Sequence, residues 1–326
     1  MKKILLSGIK PTGDFHFANY FGALRQNIEL SNNSDYESYV MLADYHALTS
    51  LHNKEDASKL RENTLKATAA YIALGLNPKN IFKQSDVIEH AELTIILSNL
   101  VTESYMKRSH AYKDAIAKDK EVNVGLFNYP ILMAADILIY DAEVVPVGQD
   151  QKQHIEYARD MAGYFNKSYE VEYFKLPKEY IIKDVAIIPG VDGRKMSKSY
   201  DNHLEIFADQ TKLKKRIMSI VTDSATPEDK KDPDTNNVYN IHKHFLNKEE
   251  DFILREKFIA GGYSYKEAKE DLLTTILNWR EDKMKKYNEL LERPEVLEKI
   301  LKEGSDRART TAQKRMPEIK KIVGLL

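Results

Sequence analysis

The sequence contains no cysteine. This absence excludes the disulfide scaffolds of small secreted domains and every zinc site that is built from thiolates. The chain also lacks any run that approaches the ~20 apolar residues of a membrane-spanning helix. At its start, only Ile4, Leu5 and Leu6 are apolar in succession, which is too few for the core of a signal peptide. We therefore expect a cytoplasmic protein that does not bind membranes.

The sequence also lacks an excess of charge of either sign. Lysine and arginine number 49, aspartate and glutamate number 50, and the net charge is −1. A chain this balanced has no overall attraction for nucleic acid, so any RNA-binding face must be a local patch. Apolar residues make up 42% and charged residues 30%, which is the composition of a globular protein with a substantial core.

Short apolar segments alternate with helical patterns in the first part of the chain. Between Lys54 and Leu74, apolar residues recur at spacings of three and four, which places them on one face of a helix. Strands that alternate with helices favour a parallel sheet with helices on its faces. In such sheets, ligands bind beyond the carboxyl ends of the strands. The predicted strands are 3–6, 38–43, 81–82, 143–147 and 186–188.

Helical patterns dominate the rest of the chain. Residues 86–120 are mostly helical and interrupt the alternation, and beyond about residue 205 charged, periodic helices such as 266–292 replace the strands. The segment 222–237 contains two prolines and is predicted to be a loop. The fold class is therefore α/β, with a Rossmann-like parallel sheet, a helical insertion and an α-helical C-terminal domain. Further helices are predicted over 19–30, 130–140 and 151–164.

The strongest local motif combines lysines with hydroxyls. It reads Lys195-Met196-Ser197-Lys198-Ser199 and follows a segment with glycines at 190 and 193. Ammonium groups and hydroxyls supply the charges and hydrogen-bond donors that bind a polyphosphate, and the glycines allow a loop to close over a ligand. The alternative is an ordinary solvated loop, which is the usual fate of this composition.

A second motif lies between the first strand and the first helix. It reads Pro11-Thr12-Gly13-Asp14-Phe15-His16-Phe17-Ala18-Asn19. The free N–H groups at the start of a helix attract phosphate, and His16 and Asn19 are polar side chains near that point. The alternative is a helix start that is merely capped.

Together, the two motifs resemble the paired signatures of the class I aminoacyl-tRNA synthetases. The second signature of that family is Lys-Met-Ser-Lys-Ser, which this chain matches in full. The segments 129–138 and 145–154 resemble the amino-acid pocket and the next block of the tryptophanyl enzymes, and 221–224 matches as well. The chain departs from the family where Ala18 replaces a glycine and where Lys10 stands in place of a common glutamine. Both departures concern the nucleotide site.

The resemblance implies that ATP and Mg²⁺ bind and that tryptophanyl-adenylate forms before tryptophan is transferred to tRNA. Lys195, Lys198, His16 and Asn19 would be the catalytic residues. Asp150 would hold the ribose, cap the helix that follows it, or do both. The implied ATP-binding residues are Lys10, Pro11, Thr12, Ala18, Asn19, Gly148, Gln149, Asp150, Ala186, Ile187, Lys195, Met196, Ser197, Lys198 and Ser199. No protein ligand set for a metal is evident.

The resemblance also implies a pocket for tryptophan. Indole carries one N–H donor, and Asp136 would accept it. The alternative for Asp136 is a salt bridge or a helix cap. The expected tryptophan-binding residues are Leu6, Gly8, Tyr129, Met133, Asp136, Val145, Val147 and Gln151.

Two domains are expected. Residues 1–204 would form a Rossmann-type catalytic domain, whose insertion at about 86–128 the resemblance identifies as a homodimer interface. Residues 205–326 would form a helical domain that binds the tRNA anticodon, with the terminal helix packing back on the catalytic domain.

The last helix carries a cluster of basic residues. Arg307, Arg309, Lys314 and Arg315 lie within nine positions. They could contact RNA phosphates, or they could form a solvated helix face.

Three other functions compete with tryptophan ligation, and one of them, a small-molecule nucleotidyltransferase, would not need the helical second domain. A tyrosine-specific relative would share the fold, and a catalytically silent paralogue could bind RNA or protein as a regulator. Such a paralogue would usually lose the loop lysines, so Lys195 and Lys198 favour an enzyme.

Overall fold

A parallel sheet lies at the centre of the α/β part of the fold. The computed structural model describes residues 2–119, 121–147, 152–181 and 187–326, and within these ranges the sheet has five strands. The strands are β1 (Lys3–Ile9), β2 (Tyr36–Leu42), β3 (Ile81–Lys83), β4 (Val144–Val147) and β5 (Lys178–Ile181). Their order is β3-β2-β1-β4-β5, and every neighbouring pair is parallel. This order confirms the predicted Rossmann-like sheet. The strands β2 and β3 extend the sheet on one side of β1, and β4 and β5 extend it on the other side, so the topological switch point lies between β1 and β4.

Helices make up most of the remaining described residues. They are α1 (Phe17–Asn19), α2 (Arg25–Asn32), α3 (Asp44–Ala47), α4 (Lys54–Ala73), α5 (Glu89–Ser98), α6 (Glu103–Met106), α7 (His110–Ala117), α8 (Val124–Leu138), α9 (Lys152–Ser168), α10 (Gln210–Met218), α11 (Asn237–His242), α12 (Lys248–Ala260), α13 (Tyr265–Leu291) and α14 (Pro294–Ile322). A π-helical turn over Tyr20–Leu24 joins α1 to α2. Across the described ranges, every helix is too short or too polar to cross a membrane.

The central strands and the long helix α4 follow the apolar pattern of the sequence. The last five residues of β2 are buried without alternation, as expected for a parallel strand that is covered on both faces. Helix α4 begins where Asn53 accepts a hydrogen bond from the N–H of Asp56 at 2.9 Å. It ends before Gly75, whose φ of 108° is accessible to glycine without strain.

Two predicted boundaries are wrong. In the predicted strand 186–188, Ile187 and Ile188 lie outside any strand, and Ala186 lies outside the described residues. Among the described residues the last strand is instead β5, which lies at the edge of the sheet that they form and is short and polar, as edge strands commonly are. Helix α8 starts six residues before the predicted Pro130, because Asn123 caps it by accepting the N–H of Leu126 at 2.7 Å.

The chain divides into two compact units. Unit 1 comprises Met1–Gly13, Gln26–Lys183 and Leu290–Leu326, and unit 2 comprises Asp14–Arg25 and Asp184–Glu289. The sheet and α14 therefore belong to unit 1, whereas both the start of the first helix and the lysine motif belong to unit 2. The functional division at residue 204 stays a prediction.

Within unit 1, helix α14 packs directly on β3. A Cβ atom added to Gly304 would lie 1.8 Å from the carbonyl oxygen of Ile81, so only glycine permits this approach. The next residue, Ser305, accepts a hydrogen bond from the N–H of Lys83 at 3.2 Å and donates one to Asp86 at 3.1 Å. Helix α14 thus fixes both β3 and the turn that follows it.

The basic cluster of α14 takes part in this packing. Arg307 donates to the carbonyl oxygen of Ser38 and lies 4.2 Å from the centre of the Tyr39 ring. Arg309 donates to the carbonyl oxygen of Asp86. Arg315 lies 4.9 Å from the centre of the Tyr173 ring. These three guanidinium groups therefore contact unit 1 itself, while Lys314 is exposed.

Within unit 2, an aromatic cluster anchors the first helix. The ring of Phe17 lies 5.1 Å from Phe245 and 5.8 Å from Trp279, and Phe21 lies 5.0 Å from Phe245. These edge-to-face contacts bury Phe17 completely. Beside them, the buried Arg280 donates to the carbonyl oxygens of Ile206 and Ala208 at 3.0 and 2.6 Å.

Replacing Gly304 with alanine should destabilise unit 1. The added methyl group meets backbone atoms that cannot rotate away, so we expect the free energy of unfolding to fall by about 2 kcal/mol or more. Gly163, also inside a helix, has no atom within 4 Å of an added Cβ and provides a matched control. Gly163→Ala should raise the same free energy by about 0.5–1 kcal/mol. Urea unfolding followed by circular dichroism measures both, and an equal response would contradict the close approach of α14 to β3.

Candidate active site

Backbone hydrogen bonds bring the two sequence motifs together in unit 2. The N–H of Phe17 donates to the carbonyl oxygen of Leu204 at 3.1 Å, and the N–H of Ile206 donates to that of Phe15 at 2.9 Å. His16 and Glu205 form the bridge between them. The segment that leaves the lysine motif is therefore paired directly with the residues that start the first helix.

His16 caps this helix through a reciprocal pair of hydrogen bonds. Its Nδ1 accepts the N–H of Asn19, and Oδ1 of Asn19 accepts the N–H of His16, both at 3.2 Å. Because Nδ1 is an acceptor here, the proton of a neutral imidazole resides on Nε2. His16 is thus held as a hydrogen-bond donor through Nε2.

The surroundings keep His16 neutral. Burial is the main cause that lowers its pKa to about 4, and the positive charges of His203 and Lys198 add to the effect. The rings of His16 and His203 are 5.8 Å apart. Partial burial of its ammonium group also lowers the pKa of Lys198, although most of the residue is open to solvent, against the opposing influence of Asp14 and Glu205. The first motif therefore supplies a neutral donor beside the cationic second motif.

The lysine loop, residues 190–202, presents its cations to solvent. Met196 is only 2% exposed, and its N–H donates to the carbonyl oxygen of Ile188 at 3.0 Å. Lys195 and Lys198 on either side of it are exposed. Ser197 caps the short turn that follows by accepting the N–H of Ser199 at 3.2 Å. Buried Met196 therefore anchors a loop whose charged and hydroxyl side chains remain available to a ligand.

The other predicted nucleotide-binding residues are less closely grouped. In unit 1, Nζ of Lys10 lies 3.4 Å from Oγ1 of Thr49 and 5.5 Å from the ring centre of Tyr129, and burial lowers the Lys10 pKa. Pro11 is buried, Thr12 is exposed and Ala18 is partly exposed. Ile187 is 75% exposed. The predicted residues Gly148, Gln149, Asp150, Gln151 and Ala186 lie outside the described residues.

Asp136 is the centre of a buried polar network in unit 1. It is 1% exposed. Its Oδ1 accepts from Nε2 of Gln84 at 2.8 Å and from Nδ1 of His90 at 2.6 Å. Its Oδ2 accepts from Nε2 of Gln84 at 2.9 Å and pairs with Nε2 of His46 at 3.0 Å. The far nitrogen of His90 pairs with the hydroxyl of Tyr140 at 2.8 Å.

This network keeps the Asp136 carboxyl ionised. Burial alone would raise its pKa, but the charge of His90 and the hydrogen bonds from His46 and His90 outweigh burial and bring the pKa to about 2. The salt-bridge alternative for Asp136 is thus present in the structure. A carboxylate held in this way is a fixed, fully charged acceptor.

Gln84 and His90 were not predicted from the sequence. Gln84 follows β3 directly, at the carboxyl end of a central strand, so the rule for parallel sheets could have identified it. Its Nε2 faces the carboxylate, and its Oε1 is buried and has no hydrogen-bond partner among the described residues. His90 has no local pattern that marks it, because its partners lie 46 and 50 positions away.

The remaining predicted pocket residues lie in or beside the core of unit 1. Leu6 and Val145 are buried within the core, and Met133 and Val147 pack against it. Gly8 is exposed at the end of β1. These placements are consistent with the apolar walls of a ligand pocket and equally consistent with ordinary packing of the core.

Tyr129 connects several of these groups. Its hydroxyl pairs with Nε2 of His154 at 2.8 Å, and its ring lies 6.1 Å from the ring of His46. Burial raises its pKa to about 12, so the hydroxyl keeps its proton at neutral pH. His46 therefore links Tyr129 to the Asp136 network.

Comparison with known proteins identifies the family of this chain. The model of the family described as tRNA synthetases class I (W and Y) matches residues 2–279. The tryptophan--tRNA ligase of Fusobacterium nucleatum is 48% identical over 323 residues, which cover 98% of this chain and 98% of that protein. The tryptophan--tRNA ligase of Campylobacter jejuni is 43% identical over 323 residues, covering 98% and 99%.

A solved structure shares the whole fold. The crystal structure of the tryptophanyl-tRNA synthetase from Campylobacter jejuni complexed with ADP and tryptophan superimposes with a TM-score of 0.92. The two chains are 42% identical, and the match covers 98% of this chain and 99% of that one. The sheet order, the paired motifs and the near-complete match to these relatives lead to one assignment: this chain belongs to the tryptophan--tRNA ligases of the class I tRNA synthetases.

Proposed function

We propose that the chain activates L-tryptophan with ATP and transfers it to the 3′ end of tRNA in two steps. The observation that carries this proposal is the backbone pairing of Phe15 and Phe17 with Leu204 and Ile206, which joins the two motifs in one unit. The ADP and tryptophan named for the Campylobacter jejuni structure support the same substrates here. The matched ligases favour this function over a tyrosine-specific relative or a silent paralogue.

The chemistry requires alignment more than proton transfer. In the first step, a carboxylate oxygen of tryptophan attacks the α-phosphorus of ATP, and the bond to the bridging oxygen of pyrophosphate breaks. In the second step, a terminal ribose hydroxyl of tRNA attacks the carbonyl carbon and releases AMP. A displacement at phosphorus gains most from positioned charge and fixed donors.

The donors in unit 2 suit the first step. Exposed Lys195 and Lys198 would stabilise the charge that develops on pyrophosphate, and Ser197 and Ser199 would donate to phosphate oxygens. His16 would donate through Nε2, which its cap to Asn19 leaves available. A neutral imidazole is suited to this role because it needs no proton exchange between pH 5 and 8.

We propose that Mg²⁺ enters with ATP. Within the described ranges, no group of three or more histidine, aspartate or glutamate side chains could hold a metal ion. The phosphate oxygens would therefore supply most of its ligands. We propose that Lys10 and Thr12 also contact ATP and that Asp150 binds the ribose.

The tryptophan pocket is assigned to the Asp136 region. The four hydrogen bonds to Asp136 equal the four lone-pair sites of a carboxylate. Binding of the indole N–H therefore requires one of them to lengthen, and the bond to His46, at 3.0 Å, is the longest. Met133, Val145, Val147, Leu6 and Gly8 would contact the indole, and Tyr129 and Gln151 would bind the α-amino group.

We propose further that the chain forms a homodimer through its insertion and binds the tRNA anticodon with its helical domain. Ile88 and Ile95 are seven residues apart, a spacing that puts them on the same face of a helix, and each is 67% exposed. Ile116 and Val124 in the same insertion are 56% and 73% exposed. Large apolar side chains grouped in this way favour burial against a second copy.

The direct test of function is ATP–pyrophosphate exchange with each of the twenty amino acids. Tryptophan alone should support rapid exchange. Exchange that depends on tyrosine instead, or no exchange with any amino acid, would reject the proposal.

Replacing Lys195 or Lys198 with alanine should slow adenylate formation by ~10²-fold or more, because loss of one donor to developing charge costs about 3 kcal/mol. Lys214→Ala, an exposed lysine of α10, is the matched control and should keep the wild-type rate. Rapid-quench measurement of adenylate under single-turnover conditions tests all three. Equal rates in the three variants and the wild type would show that the loop lysines are not catalytic.

Replacing Asp136 with alanine should weaken tryptophan binding and selectivity. We expect KM for tryptophan to rise by ~10-fold or more, since a hydrogen bond to a charged group contributes about 1.5–3 kcal/mol. Discrimination against phenylalanine, which lacks the N–H, should fall, and KM for ATP should change little. Asp44→Ala removes another buried carboxylate of unit 1, which accepts from Ser85, and controls for loss of stability. Unaltered selectivity in the Asp136 variant would refute this assignment.

The double substitution Ile88→Glu with Ile95→Glu should convert a dimer to a monomer. Charges placed in an apolar interface lose hydration without gaining partners, which opposes association. Leu176→Glu with Leu325→Glu changes two exposed leucines outside the insertion and should leave the dimer intact. Sedimentation velocity gives the mass of each. A wild-type monomer, or dissociation by the control pair alone, would disprove the proposed interface.

A further inference from the structure

The lysine loop is built around the side chain of Asn202. This residue is 1% exposed. Its Oδ1 accepts the N–H of Ser197 at 2.8 Å. Its Nδ2 donates to the carbonyl oxygen of Lys195 at 3.1 Å and to Oδ1 of Asp192 at 2.7 Å. Its own carbonyl oxygen accepts the N–H of Val191 at 2.8 Å.

These contacts determine the orientation of the amide. Ser197 offers only a donor to Oδ1, and Lys195 and Asp192 offer only acceptors to Nδ2, so a flipped amide would lose all three bonds. Asparagine is the residue of this size that supplies an acceptor and two donors together. The loop therefore needs an asparagine at this position for reasons of hydrogen bonding as well as volume.

The space for Asn202 is provided by glycine. A Cβ atom added to Gly190 would lie 2.3 Å from Cγ of Asn202 and 2.6 Å from its carbonyl oxygen. Gly190 is thus required by the close approach of Asn202, and the two residues hold the ends of the loop together.

The bonds from Asn202 act on the backbone that carries the lysines. They hold the carbonyl of Lys195 and the N–H of Ser197, on either side of Met196, whose side chain is buried. The backbone is therefore fixed both at Lys195 and immediately before Lys198. The long lysine side chains remain free to move, but each starts from a fixed point.

We propose that Asn202 is a positioning residue for adenylate formation, which acts through the lysine loop and never touches the substrates. This inference rests on the proposed function, because the lysines must meet phosphates for their placement to matter. A displacement of a catalytic group by about 1 Å can lower a rate by ~10²-fold. Loss of the Asn202 side chain should therefore lower the rate of the chemical step and leave tryptophan binding unchanged.

The hydrogen bond from Asn202 also affects the pKa of Asp192. The hydrogen bond from Asn202 is the largest cause that holds the Asp192 pKa below its usual range, although Arg194 also bonds to this carboxylate at 2.7 Å. Aspartate at position 202 would keep the acceptor for Ser197, lose both donors and face Asp192 with a like charge. Asn202→Asp is therefore nearly isosteric and still disrupts the arrangement.

The experiment compares Asn202→Ala, Asn202→Asp and Asn236→Ala. Asn236 is also buried in unit 2, where it caps α11 by accepting the N–H of Tyr239, and it controls for loss of a buried amide. Single-turnover adenylate formation and tryptophan affinity are measured in each, after thermal unfolding has verified that the variants fold. Both Asn202 variants should slow the chemical step by ~10- to 100-fold with unchanged tryptophan affinity, and Asn236→Ala should not. If Asn202→Ala fails to fold, Asn202→Asp carries the comparison.

A double substitution separates positioning from general damage. On a background that lacks both loop lysines, Lys195→Ala with Lys198→Ala, Asn202→Ala should lower the rate by less than ~3-fold, because the effects of residues that act through the same groups are not additive. The full loss on that background, or equal losses in the Asn202 and Asn236 variants, would overturn the inference. These outcomes leave the proposed function intact, whereas a wild-type enzyme without tryptophan-dependent exchange would refute the proposed function itself.

Discussion

Two backbone hydrogen bonds, one from Phe17 to Leu204 and one from Ile206 to Phe15, hold His16 and the lysine loop of unit 2 next to each other. They place a neutral imidazole beside the exit of a cationic loop, where burial first and the neighbouring positive charges second lower the pKa of His16 to about 4. The aromatic rings of Phe17 and Trp279 then keep the first helix in place. Without this pairing, the lysines and His16 would belong to two unrelated segments.

Unit 1 is arranged around a different constraint, the burial of a charge. An ionised carboxylate is tolerated inside a protein only when its lone pairs are satisfied, and His46, Gln84 and His90 together do so for Asp136. In the proposed tryptophan pocket, the same saturation would give selectivity, because a ligand that disturbs the network must replace the hydrogen bond that it removes. Indole can offer an N–H in return, whereas a phenyl ring cannot.

The sequence predicts the parts of this molecule that repeat a local pattern. The α/β class, the central strands and helices such as α4 follow from apolar periodicity, and the two motifs follow from their residue types. Strand β5 is short and polar, so it carries no such pattern. As a signal for the start of a helix, Asn123 is weaker than Pro130, which is why the start of α8 was predicted too late. Contacts between distant positions, such as those of His90 and Asn202, depend on the finished fold. Residues 148–151 lie outside the described ranges, so their predicted roles stay predictions.

The contact between Gly304 and β3 has a consequence for how the protein is made. Ser305 bonds to Lys83 across 222 positions of sequence, and Arg309 bonds to Asp86 beside it. The ribosome adds residues at about 5–20 per second, so β3 emerges many seconds before the helix that covers it. During that interval, the turn that bears Gln84 lacks the support of α14, so one of the three residues that bond to Asp136 is less firmly held. Completion of the proposed amino-acid pocket is therefore one of the last events of synthesis.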